Sequence, residues 1–413
     1  MPDIMYKNNM ITENISITEV VMKKSFSVIF ILLAFIITIG CFSGFSKSKV
    51  IAEPINEILS ESKSAYLIDQ NTQTIIYSKN ENGRYPIASM CKVMTLLLCF
   101  DALNNNEIEL SEPITISENA ANMGGSQVFL EANGQYTVGE LIKSIIVASA
   151  NDACVAMAER LCGSEDIFVQ KMNEKATELG MNDTVFVNCT GLPKPGQYSS
   201  AKDVAKMFSE LIKNKEYFRF SRIWTDVVKH PKDRLTEISN TNKLIRFYQG
   251  CDGGKTGYTS EAGHCLVATA TRNAMRLICV VISSPDSKTR FKEVSAMFNY
   301  GFANYTNKMI IDDKKTLDIK VEIVGGKKDT VSVIAENPVF IFTQKNQKRS
   351  FEIDFVPNSN IKAPVNKGDK VGVLYVFENG IEIANVNVIA TETISELTYF
   401  DTIKNIGKNW SLI

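Results

Sequence analysis

The stretch PIASMCKVMT places Ser89, Cys91 and Lys92 within four positions, two nucleophiles and one amine. At i and i+3 of a helix the Ser89 hydroxyl and the Lys92 amine lie side by side on one face, whereas Cys91, adjacent in sequence, does not face Lys92. A lysine under apolar cover gives up its charge more readily and can then take a serine proton. A thiol is the better nucleophile by nature, yet this spacing assigns attack to Ser89 and leaves Cys91 as a packing residue beside it.

A lone S-x-x-K tetrad arises by chance in most long chains. Two further motifs follow it: Ser149-Ala150-Asn151, and Lys255-Thr256-Gly257 inside GCDGGKTGYTSEAG. The ordered set S-x-x-K, S-x-N, K-T-G is far more specific than any one member. Other chemistries lack their anchors. GCDGGKT is one residue short of a phosphate-binding P-loop and leads into strand-like GHCLVATA where a helix is required. There is no G-x-S-x-G elbow for a histidine-based triad. With two histidines, His230 and His264, and no HExxH or CxxC spacing, a zinc site has no ligand set. A formal net charge of -1 gives no nucleic-acid footprint.

The elements that must position these residues follow from patterning. SAYLIDQNTQTIIYSKN reads as a β-hairpin. From Met90 to Phe100 the chain is apolar on nearly every face, so a helix buried all round is expected, with Ser89 at its start. Helical spacing runs from about Asp101 to Tyr217, and strands return from Phe218 to Ser284, notably in GHCLVATATRNAMRLICVVISS. A helix over SKTRFKEVSAMFNYGFANY comes next. LDIKVEIV, TVSVIA, PVFIFT, FEIDFV, KVGVLYV and IEIANVNVIA then describe a small all-β domain. In the tail, Ile394, Leu397, Phe400, Ile403, Ile406 and Trp410 recur every three or four residues, which predicts an amphipathic helix able to lie on a membrane.

Together these features resemble the serine D-alanyl-D-alanine carboxypeptidases among the low-molecular-mass penicillin-binding proteins. The likeness runs from about Ser64 to the end, through NMGGSQVFLE, VASANDA, NTNKL, DGGKTGYTSEAGHCLVATA, the β domain and the tail. It implies an α/β penicillin-recognising serine transpeptidase-like (β-lactamase-like) fold with a helical subdomain, plus a C-terminal all-β domain. By this resemblance Ser89 attacks the carbonyl between two D-alanines of a peptidoglycan stem peptide and Lys92 takes its proton. Ser149 relays a proton to the leaving amine, and Asn151 holds the substrate amide. Lys255 and Thr256 bind the terminal carboxylate, with Arg290 helping. The backbone N–H groups of Ser89 and Tyr258 form the oxyanion hole, beside a Gly257 that lets substrate approach the strand. His264 is read as a pocket wall, and neither a cofactor nor a metal is implied.

The expected organisation is an N-terminal extension and signal peptide over 1–46, a catalytic domain over 60–305 with a helical insert of about 101–217, a β domain over 314–390 and an amphipathic helix over 391–413. Lys23 and Lys24 before the apolar run Phe26–Ile39, with small residues after it, give the order of an export signal. The expected location is the outer face of the cytoplasmic membrane, with stem peptides as substrate and β-lactams as covalent inhibitors. The nine scattered cysteines do not look like a disulfide framework. A β-lactamase shares the three motifs, but nothing here resembles that class's additional carboxylate. A non-catalytic scaffold would have no need of both proton-transfer partners.

Overall fold

The computed structural model describes residues 61–401 and 403; the expected export signal, and the tail from residue 404, lie outside them. Strands β1 (Ser64–Asp69), β2 (Ile75–Lys79), β7 (Cys251–Thr259), β8 (Gly263–Arg272) and β9 (Met275–Ser284) form one antiparallel sheet in the order β2-β1-β9-β8-β7. Side chains of a strand alternate between faces. In β9, Ile278, Val280 and Ile282 enter one core cluster while Leu277, Cys279 and Val281 enter another. Both faces are covered, which is why LICVVI is an unbroken apolar run.

One face packs on helix α9 (Ser287–Asn304) through Val294, Met297 and Phe298. The other meets the helical region: α1 (Lys92–Asn104), α2 (Glu118–Ala121), α3 (Val138–Val147), α4 (Asn151–Cys162), α5 (Glu165–Glu178), α6 (Ala201–Leu211) and α7 (Tyr217–Ser221), while the short α8 (Leu244–Phe247) packs through Leu244 on the α9 side. Two small hairpins interrupt it, β3 (Pro113–Thr115) with β4 (Gln135–Thr137) and β5 (Thr225–Lys229) with β6 (Leu235–Ser239). Helix starts follow their capping signals: Thr137 and Glu140 form a reciprocal capping box on α3, and Ser164, Ser200 and Asp286 cap α5, α6 and α9.

The β domain begins earlier than expected. Strand β10 (Tyr305–Ile311) starts directly after α9, not near residue 314, and pairs with β13 (Val339–Gln344). A second sheet orders β11 (Lys320–Glu322), β12 (Thr330–Ala335), β16 (Ile381–Ala390), β15 (Lys370–Glu378) and β14 (Glu352–Pro357) as β11-β12-β16-β15-β14. The junction is packed: Tyr305 stacks on Phe342 with ring centroids 4.9 Å apart, and Asn307 Nδ2 donates to Asp69 Oδ2 at 3.1 Å, tying β10 to β1.

The helix expected over 391–413 is corrected at its start. Residues 391–397 are extended and knitted into the β domain: Ile394 and Val365 exchange backbone hydrogen bonds, and Leu397 N–H donates to the Gly325 carbonyl. Ile394 is 2% exposed, inside the β-domain core. Its helical spacing is overridden because β-domain groups take its backbone hydrogen bonds. Helix begins only after Thr398, whose hydroxyl and Asp401 carboxylate cap each other's backbone N–H, leaving Tyr399 and Phe400 strongly exposed. Ile394→Ala is therefore expected to destabilise the β domain by about 2–5 kcal/mol in urea unfolding. A residue on an exposed amphipathic helix would change it by less than about 0.5 kcal/mol.

Candidate active site

Between Ile87 and Leu97 every residue is buried except Ser89, which is half-buried. It sits in a 3₁₀ turn, Ala88–Cys91, that leads into α1. The turn is sharp: Ala88 has φ +46°, and two glycines press on it from opposite strands of chain. A Cβ on Gly191 would lie 2.0 Å from the Ala88 carbonyl oxygen, and one on Gly257 would lie 2.6 Å from that of Ile87. Contacts under 3.0 Å with backbone are not relieved by a rotamer change. For Gly257 this adds a reason for the missing side chain beside the expected approach of substrate: the Ser89 turn itself lies against its backbone. Gly191, in CTG, plays the matching part and was not anticipated; its Thr-Gly pairing, shared with Lys255-Thr256-Gly257, was the available signal.

Lys92 is completely buried, the first residue of α1, and its Nζ lies 3.0 Å from Ser89 Oγ. It also donates to the Thr190 carbonyl. Burial lowers its pKa below the ordinary 10.5. The Thr190 carbonyl is held by a loop that sequence reasoning passed over. Asn188 Oδ1 accepts from the N–H groups of Thr190 and Gly191, Glu165 accepts from Cys189 N–H, and Thr95 Oγ1 donates to the Cys189 carbonyl at 2.7 Å. Cys91 belongs to the same packing. Its thiol is buried, donates to the Asn188 carbonyl at 3.2 Å and is pushed up in pKa by burial, the opposite of an activated thiolate.

Ser149 and Asn151 lie at the turn from α3 to α4. Ser149 takes φ +61°, an uncommon conformation for a residue with a side chain, and its Oγ accepts from Lys255 Nζ at 2.8 Å. Lys255, on β7, is 1% exposed and also donates to the Thr256 carbonyl. Its pKa falls well below 10.5, first through burial and then through the positive charge of Lys92. Asn151 Nδ2 donates to the Gly124 carbonyl at 2.7 Å, while its buried Oδ1 has no partner.

Strand β7 is the edge of the sheet. Its first half is capped from outside: Ser221 donates to the Asp252 carbonyl, Asn242 to that of Gly253, and Tyr217 OH accepts from Gly254 N–H at 3.0 Å. Side-chain capping of this kind protects a strand edge. Beyond it come the motif residues Lys255, Thr256 and Gly257. Arg290, from α9, is buried; its Nη1 donates to the carbonyls of Gly257 at 3.0 Å and Cys265 at 3.1 Å. Tyr258 is exposed and stacks on His264, ring centroids 4.3 Å apart. His230, by contrast, is bonded to Tyr136 and Thr236 within the helical region. The Gly250–Thr256 segment that approaches a P-loop pattern lies largely in β7 and begins no helix.

This arrangement, two serine–lysine pairs bracketing an edge strand, matches known proteins along most of the chain. A family model described as D-alanyl-D-alanine carboxypeptidase matches residues 50–286, and one described as penicillin-binding protein 5, C-terminal domain, matches residues 305–396. The D-alanyl-D-alanine carboxypeptidase DacF of Bacillus subtilis (strain 168) is 40% identical over 86% of this chain and 92% of its own. Penicillin binding protein 5 of Haemophilus influenzae has a solved structure at TM-score 0.64 and 31% identity, over 81% of this chain and 98% of that one. PBP3 of Streptococcus pneumoniae, a peptidoglycan synthesis regulatory factor, superposes at TM-score 0.70 and 29% identity, over 81% and 99%. The chain thus belongs to the D-alanyl-D-alanine carboxypeptidase family, with the family's mixed α/β catalytic fold and C-terminal β-rich domain, and is a serine-type D-Ala-D-Ala carboxypeptidase acting on peptidoglycan.

Proposed function

We propose that the enzyme removes the terminal D-alanine of peptidoglycan stem pentapeptides through an acyl-enzyme on Ser89. The observation that carries this reading is the buried Lys92 amine 3.0 Å from the one solvent-reaching side chain of its segment, Ser89. A neutral Lys92 accepts the Ser89 proton as Oγ bonds to the carbonyl carbon of the penultimate D-alanine. The oxyanion is met by the backbone N–H groups of Ser89 and Tyr258; the close seating of Gly257 on the Ser89 turn supports their proximity. Losing one such donor typically costs about 2.7–4 kcal/mol of barrier. Collapse breaks the peptide bond, and the departing amine receives, through Ser149, the proton that Lys92 took from Ser89, which leaves Lys92 neutral again. Water then loses a proton to Lys92 as it attacks the ester carbonyl; the acyl C–Oγ bond breaks and Lys92 returns that proton to Ser89 Oγ. Lys255, Thr256 and, through the positive field behind Gly257, Arg290 bind the substrate carboxylate, where a charge-assisted hydrogen bond is worth roughly 1.5–3 kcal/mol. Asn151 Oδ1, unpartnered in the site, accepts the substrate amide N–H.

β-Lactams acylate the same serine. No carboxylate is hydrogen-bonded to Ser89, Lys92, Ser149 or Lys255 among the described residues, which favours a persistent penicilloyl-enzyme over the β-lactamase alternative. Ser89→Ala is expected to abolish both D-alanine release from diacetyl-lysyl-D-alanyl-D-alanine and covalent penicillin labelling, while Cys91→Ser retains both. Labelling lost only in Cys91→Ser would sink the serine mechanism, and rapid penicillin turnover would favour the β-lactamase.

The protonation of Lys92 gives a sign. Its base form must be neutral, so kcat/KM should rise with pH through the lowered pKa and level off before 10.5, the ordinary lysine value. Between that lowered pKa and 10.5 the unfolded chain binds more protons than the folded one. Burying Lys92 therefore destabilises the fold at neutral pH, a penalty relieved as pH rises. Lys92→Met should be inactive yet more stable than the parent at pH 7, by about 0.5–2 kcal/mol in denaturant unfolding. A clear loss of stability would mean that the bonds to Ser89 and Thr190 outweigh the burial.

No helix among the described residues is long and apolar enough to cross a membrane. We infer an exported enzyme held at the outer face of the cytoplasmic membrane by the segment that follows Leu397, supported by the strong exposure of Tyr399, Phe400 and Ile403. Truncation after Leu397 preserves the extended strip buried in the β domain, and should release an active enzyme from sedimented membranes. Continued sedimentation would place the anchor in the N-terminal segment.

A further inference from the structure

The segment NMGGSQVFLE, residues 122–131, crosses the start of α4 as a loop that makes no strand or helix pairing of its own from Gly124 to Leu130. Its backbone is instead bound by the first two residues of α4. Asn151 N–H donates to the Ser126 carbonyl at 2.7 Å, and the Asn151 side-chain amide donates to the Gly124 carbonyl. Asp152, wholly buried, accepts from Val128 N–H at 3.1 Å and Leu130 N–H at 3.1 Å, besides its own neighbour Ala153. The loop is then pinned from the opposite side: Arg234, at the start of β6's hairpin arm, donates Nη2 to the Phe129 carbonyl at 2.6 Å and Nε to Glu131 Oε1 at 3.0 Å.

Two features show that this binding is tight rather than incidental. Phe129 is held at φ +63° with its ring 55% exposed, while its neighbours Val128 and Leu130 are buried. A bulky residue adopts that conformation only where its surroundings over-determine it. Gly125, at φ +79°, approaches so closely that a Cβ there would lie 2.8 Å from Asn151 Nδ2. The Gly124 carbonyl also fixes which way the Asn151 amide faces. Turning the amide over would set two oxygens against each other, so Oδ1 is the atom left buried without a partner.

We propose that Asp152 is a positioning residue: by clamping the 124–130 loop it holds the Gly124 carbonyl on the Asn151 amide, keeping Asn151 Oδ1 turned to receive a substrate N–H. The proposal rests on the reading of Asn151 as a substrate contact. Asp152 touches neither substrate nor the reacting atoms, and its whole effect passes through Asn151. A released loop lets the amide rotate and offer a donor where an acceptor is needed.

The test is a double-mutant cycle on kcat/KM for D-alanine release by the purified protein, with penicillin-binding stoichiometry as the measure of correctly folded sites. Asp152→Asn keeps the side chain's shape but leaves one uncharged oxygen to serve the N–H groups of Val128, Leu130 and Ala153, and sets an amide donor against whichever of them it does not reach. It should lower kcat/KM by about 10- to 100-fold, as a misplaced contact does. On an Asn151→Ala background the same change should cost less than about twofold, because the contact it positions is already gone. Arg234→Met loosens the loop from the solvent side without altering the buried carboxylate, and should show the same dependence on Asn151 even if Asp152→Asn fails to fold. Equal losses on both backgrounds would overturn the clamp and leave Asp152 a general stabiliser. Wild-type kinetics in Asn151→Ala, with Ser89→Ala inactive, would overturn it differently, by removing the substrate contact while leaving the acyl-enzyme mechanism intact.

Discussion

The enzyme depends on keeping two lysine amines, Lys92 and Lys255, out of water, with the charge of Lys92 further lowering the proton affinity of Lys255. Removing an ammonium from solvent costs several kcal/mol unless it is paired or deprotonated. Among the described residues no carboxylate pairs with either amine; the partners are Ser89, Ser149 and the carbonyls of Thr190 and Thr256. For Lys92 the burden therefore falls on deprotonation, which is also what its proposed role as general base requires. An acidic partner for Lys92 would make the fold more secure and the catalyst worse. The positive φ values of Ala88, in the Ser89 turn, and of Ser149 are local costs met by the packed core around them.

That core explains why apparently unrelated segments matter to one hydroxyl. The turn that carries Ser89 is gripped between the 188–191 loop and strand β7, each approaching through a glycine. The loop is positioned by Asn188, Glu165 and Thr95, and the strand by Tyr217, Asn242 and Arg290. Catalytic geometry is thus distributed over both faces of the cleft, and rigid support of this kind is what allows contacts to be effective at the level of a few tenths of an ångström.

Much of this was legible in the sequence, for identifiable reasons. S-x-x-K, S-x-N and K-T-G are readable because they are local and must contain those side chains. The sheet's strands are readable because burial on two faces leaves an unbroken apolar signature. The hold of Thr190 on Lys92 was not readable, since a backbone carbonyl leaves no mark on residue type. The need for a small residue at Gly257 was legible, but not the seat of the Ser89 turn against it, because a glycine does not disclose everything that comes near it. Ile394 and Leu397 misled for a related reason: a spacing of three suits a helix, but hydrogen bonds from Val365 and Gly325 commit that backbone to the β domain. The start of that domain was misplaced because α9 passes into β10 with no loop between them, while the charged run at 312–315 lies inside the domain.

That unbroken passage has a mechanical meaning. Tyr305 leaves α9 already stacked on Phe342, Lys345 reaches back to the carbonyl of Phe302, and Asn307 is bonded to Asp69 in the catalytic sheet. A tether would let the catalytic domain sample a sphere of positions whose radius grows with linker length. A splinted joint gives it a bearing and an elevation instead. Displacement of the β domain is thereby carried into the catalytic sheet rather than absorbed at the joint, more like a tool on a bracket than one on a cord.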